Sequence, residues 1–219
     1  METYVLATKN TQEQALNIEA VVFDYGQVIS LPQNSDAINR IADRAGADRE
    51  KFETTLWALR SEYDRGTWDS IEYYKNVLSS LNISMDNEGI SELVEMDLMS
   101  WRGINEKTVE LMKEIKIAGY RIGILSNMPH DFLAWARKSI PVFSLSDVSV
   151  FSCEENVIKP EEPIYRILLS RLGIKSGELV FFDDNAGNIK SALSLGIKAF
   201  LWISPEEARR ELLSLGLKL

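Results

Sequence analysis

The sequence predicts an α/β fold, a parallel sheet with helices on both faces, interrupted by an all-helical insertion. Three observations predict it. Short β-branched or aromatic runs alternate with amphipathic helical patterns through the C-terminal half; an apolar run, VVF at 21–23, stands alone near the N-terminus; and the stretch between them, about 34–101, has no two-residue alternation. Alternating strands and helices of this length imply right-handed crossovers and a sheet buried on both faces.

Taken in order, residues 1–17 show no clear periodicity and are expected to form a surface extension. The first strand ends in VVFDYG. Four helical faces follow. Ile38, Ile41, Ala42 and Ala45 form the first, and Phe52, Leu56, Leu59 and Tyr63 the second. Ile71, Tyr74, Leu78 and Leu81 form the third, and Ile90, Leu93, Val94, Leu98 and Trp101 the fourth. Four amphipathic helices with short loops make a small bundle. Strand-length runs then occur at YRIGIL (120–125), VSVFS (148–152), ELVFF (178–182) and IKAFLW (197–202). Between them, Leu111, Met112, Ile115 and Ala118 share a face that stops at Gly119, and Ile164, Ile167, Leu168 and Leu172 share one that stops at Gly173. Ile189, Ala192, Leu193 and Gly196 repeat the pattern before the last strand. The chain therefore divides into an α/β core, 1–33 and 102–219, and a helical insertion, 34–101.

Composition bounds the partners. The 219 residues carry a net charge of -9 and a pI near 4.8, with no long basic run, which argues against nucleic acid and anionic membrane. One cysteine, Cys153, and one histidine, His130, make a disulfide framework or a His/Cys zinc site a poor reading. Cys153 as a nucleophile needs His130 as its base; a buried structural thiol is the simpler reading. The N-terminus, METYVLATKN, lacks a basic region and an apolar core, and no apolar run approaches the ~20 residues of a membrane span. A cytoplasmic protein is expected. Monomer and homodimer both stay open.

Ligands of a parallel sheet bind beyond the carboxyl ends of its strands. The residues there are Asp24 after VVF, Ser126 and Asn127 after IGIL, Lys159 in the loop NVIKPEEPIY, and Asp183 with Asp184 after LVFF. Singly each is bland. An Asp or a Ser-Asn pair at a strand end is usually a turn residue, and Asp183-Asp184 also reads as a helix N-cap.

Together, in this order and spacing, they resemble the four motifs of the haloacid-dehalogenase superfamily over roughly residues 19–203, the most specific pieces being LSN, VIKPEEPIY and VFFDDNAGNI. The insertion is similar to that superfamily's helical C1 cap on a Rossmann-like core. FDYGQVI is similar to a branch reading F-D-x-G-x-V, which includes sugar-phosphate phosphatases and lies near the phosphatase domain of soluble epoxide hydrolases. The resemblance implies a Mg²⁺-dependent phosphatase that acts on a small phosphorylated metabolite through an aspartyl phosphate. Phosphoryl transfer needs a nucleophile, a cation and donors that follow the phosphoryl oxygens. Asp24 fits the nucleophile, and Asp24 with Asp184 offers hard oxygens suited to Mg²⁺. Asp183 and Asn188 orient that shell. Lys159 neutralises Asp24 and phosphate, with Ser126, Asn127 and backbone N–H groups as further phosphate donors.

One position departs from the pattern. Two residues after the nucleophile, most phosphatases of the superfamily carry a second Asp that protonates the leaving oxygen and later activates water; this chain has Gly26. The backbone carbonyl expected to bind the metal is kept, and the general acid is lost. That loss, about 10²–10⁴ in rate, falls most on poor leaving groups. Leaving groups of lowered pKa, such as the anomeric hydroxyl of a sugar 1-phosphate, are therefore expected. Replacement donors to consider are His130, Asp131, Tyr63, Asp64 and Arg65, each of which also reads as a turn or surface residue. Gly26 itself also permits positive φ, a purely conformational role. Trp57, Trp68, Tyr73 and Tyr74 could stack on a sugar, although aromatics at helical spacing are more often core. Two rival functions are a metal-independent haloacid dehalogenase, and a non-catalytic phosphate-binding module that Gly26 has silenced.

Overall fold

The apolar runs become the strands of a single sheet in the computed structural model, which describes residues 17–33 and 35–219. The surface extension expected over 1–17 lies, but for residue 17, outside the described residues. Strands β1 (Ala20–Phe23), β2 (Arg121–Ser126), β3 (Val148–Phe151), β4 (Leu179–Asp183) and β5 (Lys198–Leu201) lie in the order β3-β2-β1-β4-β5, every pair parallel. The first strand in sequence is thus central, which explains why all four of its residues are buried with no polar alternation.

Side-chain alternation sorts the sheet into two cores. Val21, Phe23, Ile122, Ile124, Val180 and Phe182 pack on one face with α5 (Glu106–Ile117), α6 (His130–Ser139) and α10 (Pro205–Ser214). Val22, Leu125, Val150 and Phe181 pack on the other with α8 (Glu162–Leu172) and α9 (Ala186–Ser194). Helix α10 carries no expectation from the sequence; its PEEARRELLS pattern starts cleanly, with the Ser204 hydroxyl accepting from the Glu207 N–H.

Between β1 and β2 in the chain, α1 (Ser35–Ala45), α2 (Arg49–Arg65), α3 (Ser70–Ser80) and α4 (Asn87–Ser100) surround a separate apolar cluster of Ile41, Phe52, Leu56, Tyr73, Tyr74 and Leu93. Asp48, Asp69 and Asp86 cap the last three of these helices through side-chain acceptance of an N–H three residues on. Two strands of chain tie the bundle to the sheet: Leu31 N–H donates to the Gly103 carbonyl and Asn105 N–H to the Ile29 carbonyl, both at 2.9 Å.

A second tie joins the C-terminal end of α2 to the loop after β3, where α7 (Ser152–Glu155) adds a single turn. Arg65 pairs with Glu161 at 2.7 Å, and the Ser152 hydroxyl donates to the Asp64 carbonyl. The chain can approach so closely because Gly66 ends α2 at φ 82°, where a Cβ would stand 2.9 Å from the Cys153 carbonyl oxygen and 2.8 Å from His130 Nε2. No helix among the described residues is long and apolar enough to cross a membrane.

Candidate active site

Register brings the acids together. Phe23 pairs with Phe182 of β4 and Ile124 of β2, so the next residues, Asp24 and Asp183, emerge side by side at the carboxyl edge of the sheet, beside the end of β2.

One buried ammonium organises them. Lys159 Nζ lies 2.6 Å from Asp183 Oδ2 and 2.9 Å from Asp24 Oδ1, and donates to the Leu125 carbonyl at 2.9 Å, so each of its three protons has a partner. Asn127 holds the loop that carries Lys159, donating through Nδ2 to the Lys159 carbonyl at 2.9 Å and accepting the Lys159 N–H through Oδ1 at 2.8 Å. One Nδ2 proton remains beyond these two bonds, and Asn127 lines the same cavity as Ser126. Ser126, buried at the end of β2, lines the cavity.

Asp183 is wholly buried and saturated: Oδ1 accepts from Asn185 N–H (2.8 Å) and Asn188 Nδ2 (2.9 Å), and Oδ2 from Lys159 Nζ and Asn188 Nδ2 (3.0 Å). It orients other groups. The helix-cap alternative for Asp183-Asp184 falls to the next residue, since Asn185 Oδ1 accepts the Gly187 N–H at 2.8 Å to start α9. Asp184 is left half-buried on the cavity wall.

Asp24 differs from Asp183 in one respect that matters for chemistry. Its Oδ1 is taken by the Tyr25 N–H at 2.6 Å and by Lys159, while no hydrogen bond recorded among the described residues engages Oδ2. Burial pushes the Asp24 carboxyl up to about 7, against the pull of Lys159 and with Asp183 and Asp184 adding to the rise. Lys159 itself is held above its ordinary range; burial opposes its charge, but Asp183 and Asp24 outweigh that. Asp184 is raised by burial and by Asp183. One oxygen each of Asp24, Asp183 and Asp184 lie within 4.8 Å of one another. Three carboxylates share one ammonium, and that surplus of hard, negative oxygens is a donor set for a hard divalent cation.

After Asp24 the chain makes a type II turn over 25–28. Gly26, at φ -61° and ψ 127°, uses none of glycine's freedom, and a Cβ placed there would make only ordinary contact, 3.8 Å from Trp101 Cζ3. The conformational role considered for Gly26 is thus not the one it plays. Gln27 instead takes the left-handed position, at φ 58°, with its N–H on Ser30 Oγ at 2.9 Å and its Nε2 on Asp184 Oδ2 at 2.6 Å. Sequence reasoning missed Gln27. The available signal was that the third residue of a type II turn is normally Gly or Asn.

The cavity in front of Asp24, about 210 Å³, is bounded on the core side by Gly26, Gln27, Ser126, Lys159 and Asp184 and on the bundle side by Trp57, Arg60, Asp64 and Trp101. Arg60 pairs with Asp64 at 2.8 Å and Asp97 at 3.2 Å and stacks near Trp57, Tyr63 and Tyr73. Of the five replacement donors, Asp64 alone lines the cavity, its carboxyl raised by burial against the pull of Arg60. Tyr63 is buried against Tyr73, Arg65 is bound to Glu161, and neither His130 nor Asp131 borders the cavity. Among the four aromatics only Trp57 reaches it; Tyr73 and Tyr74 are core, and Trp68 packs against that core. Cys153 is buried, its thiol pushed up to about 12 by burial, an inert environment for a nucleophile.

Known proteins share this architecture. Among curated relatives, the chain is 34% identical over 108 residues to acyl-CoA dehydrogenase family member 10 of Mus musculus, covering 47% of this chain and 10% of that protein. It is 25% identical to bifunctional epoxide hydrolase 2 of Mus musculus over 89% of this chain and 38% of that protein. It thus spans well under half the length of both. A phosphatase of Mycobacterium tuberculosis is 25% identical over 92% of this chain and 96% of its own, and (S)-2-haloacid dehalogenase 4A of Burkholderia cepacia is 25% identical over 82% and 80%. Among solved structures, a haloacid-dehalogenase family enzyme of Bacteroides thetaiotaomicron superimposes with a TM-score of 0.74 at 20% identity, over 90% of this chain and 98% of that one; a further structure of that enzyme holds magnesium and inorganic phosphate. The family model for haloacid dehalogenase-like hydrolases matches residues 17–196. A parallel sheet of this order, an aspartate at the end of its central strand and a match over most of the sequence lead to one assignment: the chain belongs to the haloacid dehalogenase-like hydrolase family.

Proposed function

We propose that this hydrolase is a Mg²⁺-dependent phosphatase of small phosphomonoesters that works through a phosphorylated Asp24. The observation that carries the reading is the asymmetry of Asp24: one oxygen fixed by Tyr25 N–H and Lys159, the other unengaged among the described residues and beside an open cavity. Oδ2 attacks phosphorus, the P–O bond to the leaving group breaks, and water later cleaves the aspartyl phosphate. The Ser126 hydroxyl meets the phosphoryl oxygens as charge moves onto them, and the Lys159 ammonium, held on Asp24, supplies positive charge beside them. With Asp24, the Gly26 carbonyl and Asp184 as its protein ligands, bound Mg²⁺ supplies neutralising charge at the phosphoryl group. Asp183 and Asn188 keep that constellation in place. The helical bundle acts as a cap over the site and excludes water when closed.

The leaving group follows from Gly26. Of the five replacement donors Asp64 alone lines the cavity, and its pairing with the Arg60 guanidinium opposes the protonated form that a donor needs. Substrates whose leaving oxygen departs without a full proton are favoured, with sugar 1-phosphates as the physiological class. The Mycobacterium tuberculosis phosphatase among the relatives, and the magnesium and phosphate held by the Bacteroides enzyme, support this reading.

The test is phosphate release from aryl, acyl and sugar phosphates with Mg²⁺, run beside Asp24→Asn. Mg²⁺-dependent turnover abolished by the substitution is expected. Ligand binding without turnover on any good aryl phosphate would instead mark a silent binding module. A dehalogenase reading draws on the dehalogenase relatives and on the absent second Asp; it leaves Asp184 facing a carboxylate substrate, and metal-free chloride release from a 2-haloacid would establish it.

A further inference from the structure

Gly26 removes two functions, protonation of the leaving group in the first step and activation of water in the second. A good leaving group compensates only for the first. Resting on the phosphatase reading, we propose that Gln27 positions the water that hydrolyses the aspartyl phosphate.

Its backbone is the first argument. A left-handed φ of 58° suits Gly or Asn, and Gln is held there by the buried Ser30, whose hydroxyl accepts the Gln27 N–H at 2.9 Å. Strain kept in place by its surroundings concentrates at functional positions. The side chain gives the second. A carboxylate at this distance only accepts, so the 2.6 Å contact with Asp184 Oδ2 fixes the amide with Nε2 on Asp184 and Oε1 as its remaining acceptor. Gln27 and Asp24 line the same cavity. The chemistry of the second step then needs no strong base. Water oxygen bonds to phosphorus, the P–Oδ2 bond breaks with its electron pair returning to the Asp24 carboxylate, and the water proton passes to a phosphoryl oxygen. The leaving group is already a stable anion and the transition state is loose, so an acceptor that orients the water suffices.

Gln27→Gly and Gln27→Met separate the carboxamide from the backbone: glycine relieves the left-handed strain, and methionine keeps size and strain but has no carbonyl. With p-nitrophenyl phosphate and Mg²⁺, both variants are expected to keep the wild-type burst of p-nitrophenol. Steady-state turnover should fall on the order of 10²-fold, and acid-quenched phosphoenzyme, read by mass spectrometry, should accumulate. The melting midpoint should rise in the glycine variant alone, by about 2–4 °C. Unchanged turnover in Gln27→Met, burst and turnover slowed together, or a shifted Mg²⁺ requirement that accounts for the loss would each overturn the proposal. Wild-type protein that forms no phosphoenzyme would overturn the phosphatase reading itself, a separate outcome.

Discussion

Gly26→Asp puts back the acid that the motif lacks, and the structure says what it should do. The backbone there, φ -61° and ψ 127°, is open to any L residue, and the new Cβ meets only Trp101 at 3.8 Å. Loss of a glycine from the unfolded chain favours the fold by about 0.4–1 kcal/mol; a fourth carboxylate beside Asp24, Asp183 and Asp184 opposes that gain. The variant should therefore fold, with Gly26→Ala as the control that adds a Cβ and no acid. For an alkyl phosphate, whose alkoxide needs a proton, we expect kcat/KM to rise on the order of 10²-fold, about 2.7 kcal/mol of barrier. For p-nitrophenyl phosphate, whose phenolate leaves unaided, the gain should stay below about tenfold. The assay is kcat/KM for both esters in wild type, Gly26→Ala and Gly26→Asp with saturating Mg²⁺. A folded Gly26→Asp that moves both substrates alike, or neither, would refute the leaving-group argument.

Two further outcomes follow from the buried charges. With its carboxyl at about 7 in the fold against 3.8 for an ordinary Asp, Asp24 takes up a proton on folding between those pH values. Metal-free stability should accordingly fall as pH rises from 4 to 7 and level off above, and Asp24→Asn should remove that slope and stabilise the protein at pH 8 by up to a few kcal/mol. Urea denaturation in chelator at pH 5 and pH 8 reads this; an equal slope in the variant contradicts it. Arg60→Met leaves Asp64 and Asp97 without their shared partner in the bundle, so a loss of roughly 3–5 kcal/mol is expected in the same measurement. A change under 1 kcal/mol would mean that the aromatic stack, and not the charge, holds that side chain.

Much of this molecule is legible in its residues because the relevant signals are local. Strand and helix periodicities, and the glycines at 119 and 173 that follow α5 and α8, act over a few positions. The acids at strand ends are readable too, because a parallel sheet gathers its carboxyl ends at one edge. The sequence alone therefore determined the strand runs, the helical faces between the first two of them, and the placing of Asp24 and Asp183 at strand ends. What only tertiary structure decided is which atom of each is free. Among the described residues Asp24 keeps one oxygen unengaged and Asp183 none, because Lys159 from one loop and Asn185 with Asn188 from the start of α9 converge on the second carboxyl. In the same way, Asp64 and Trp57 reach the cavity while Tyr73 and Tyr74 do not, since bundle packing chooses which side of α2 and α3 faces the core. Gln27 became visible only through a dihedral angle and a contact with Asp184, 157 positions away, which no pattern of neighbouring residues encodes.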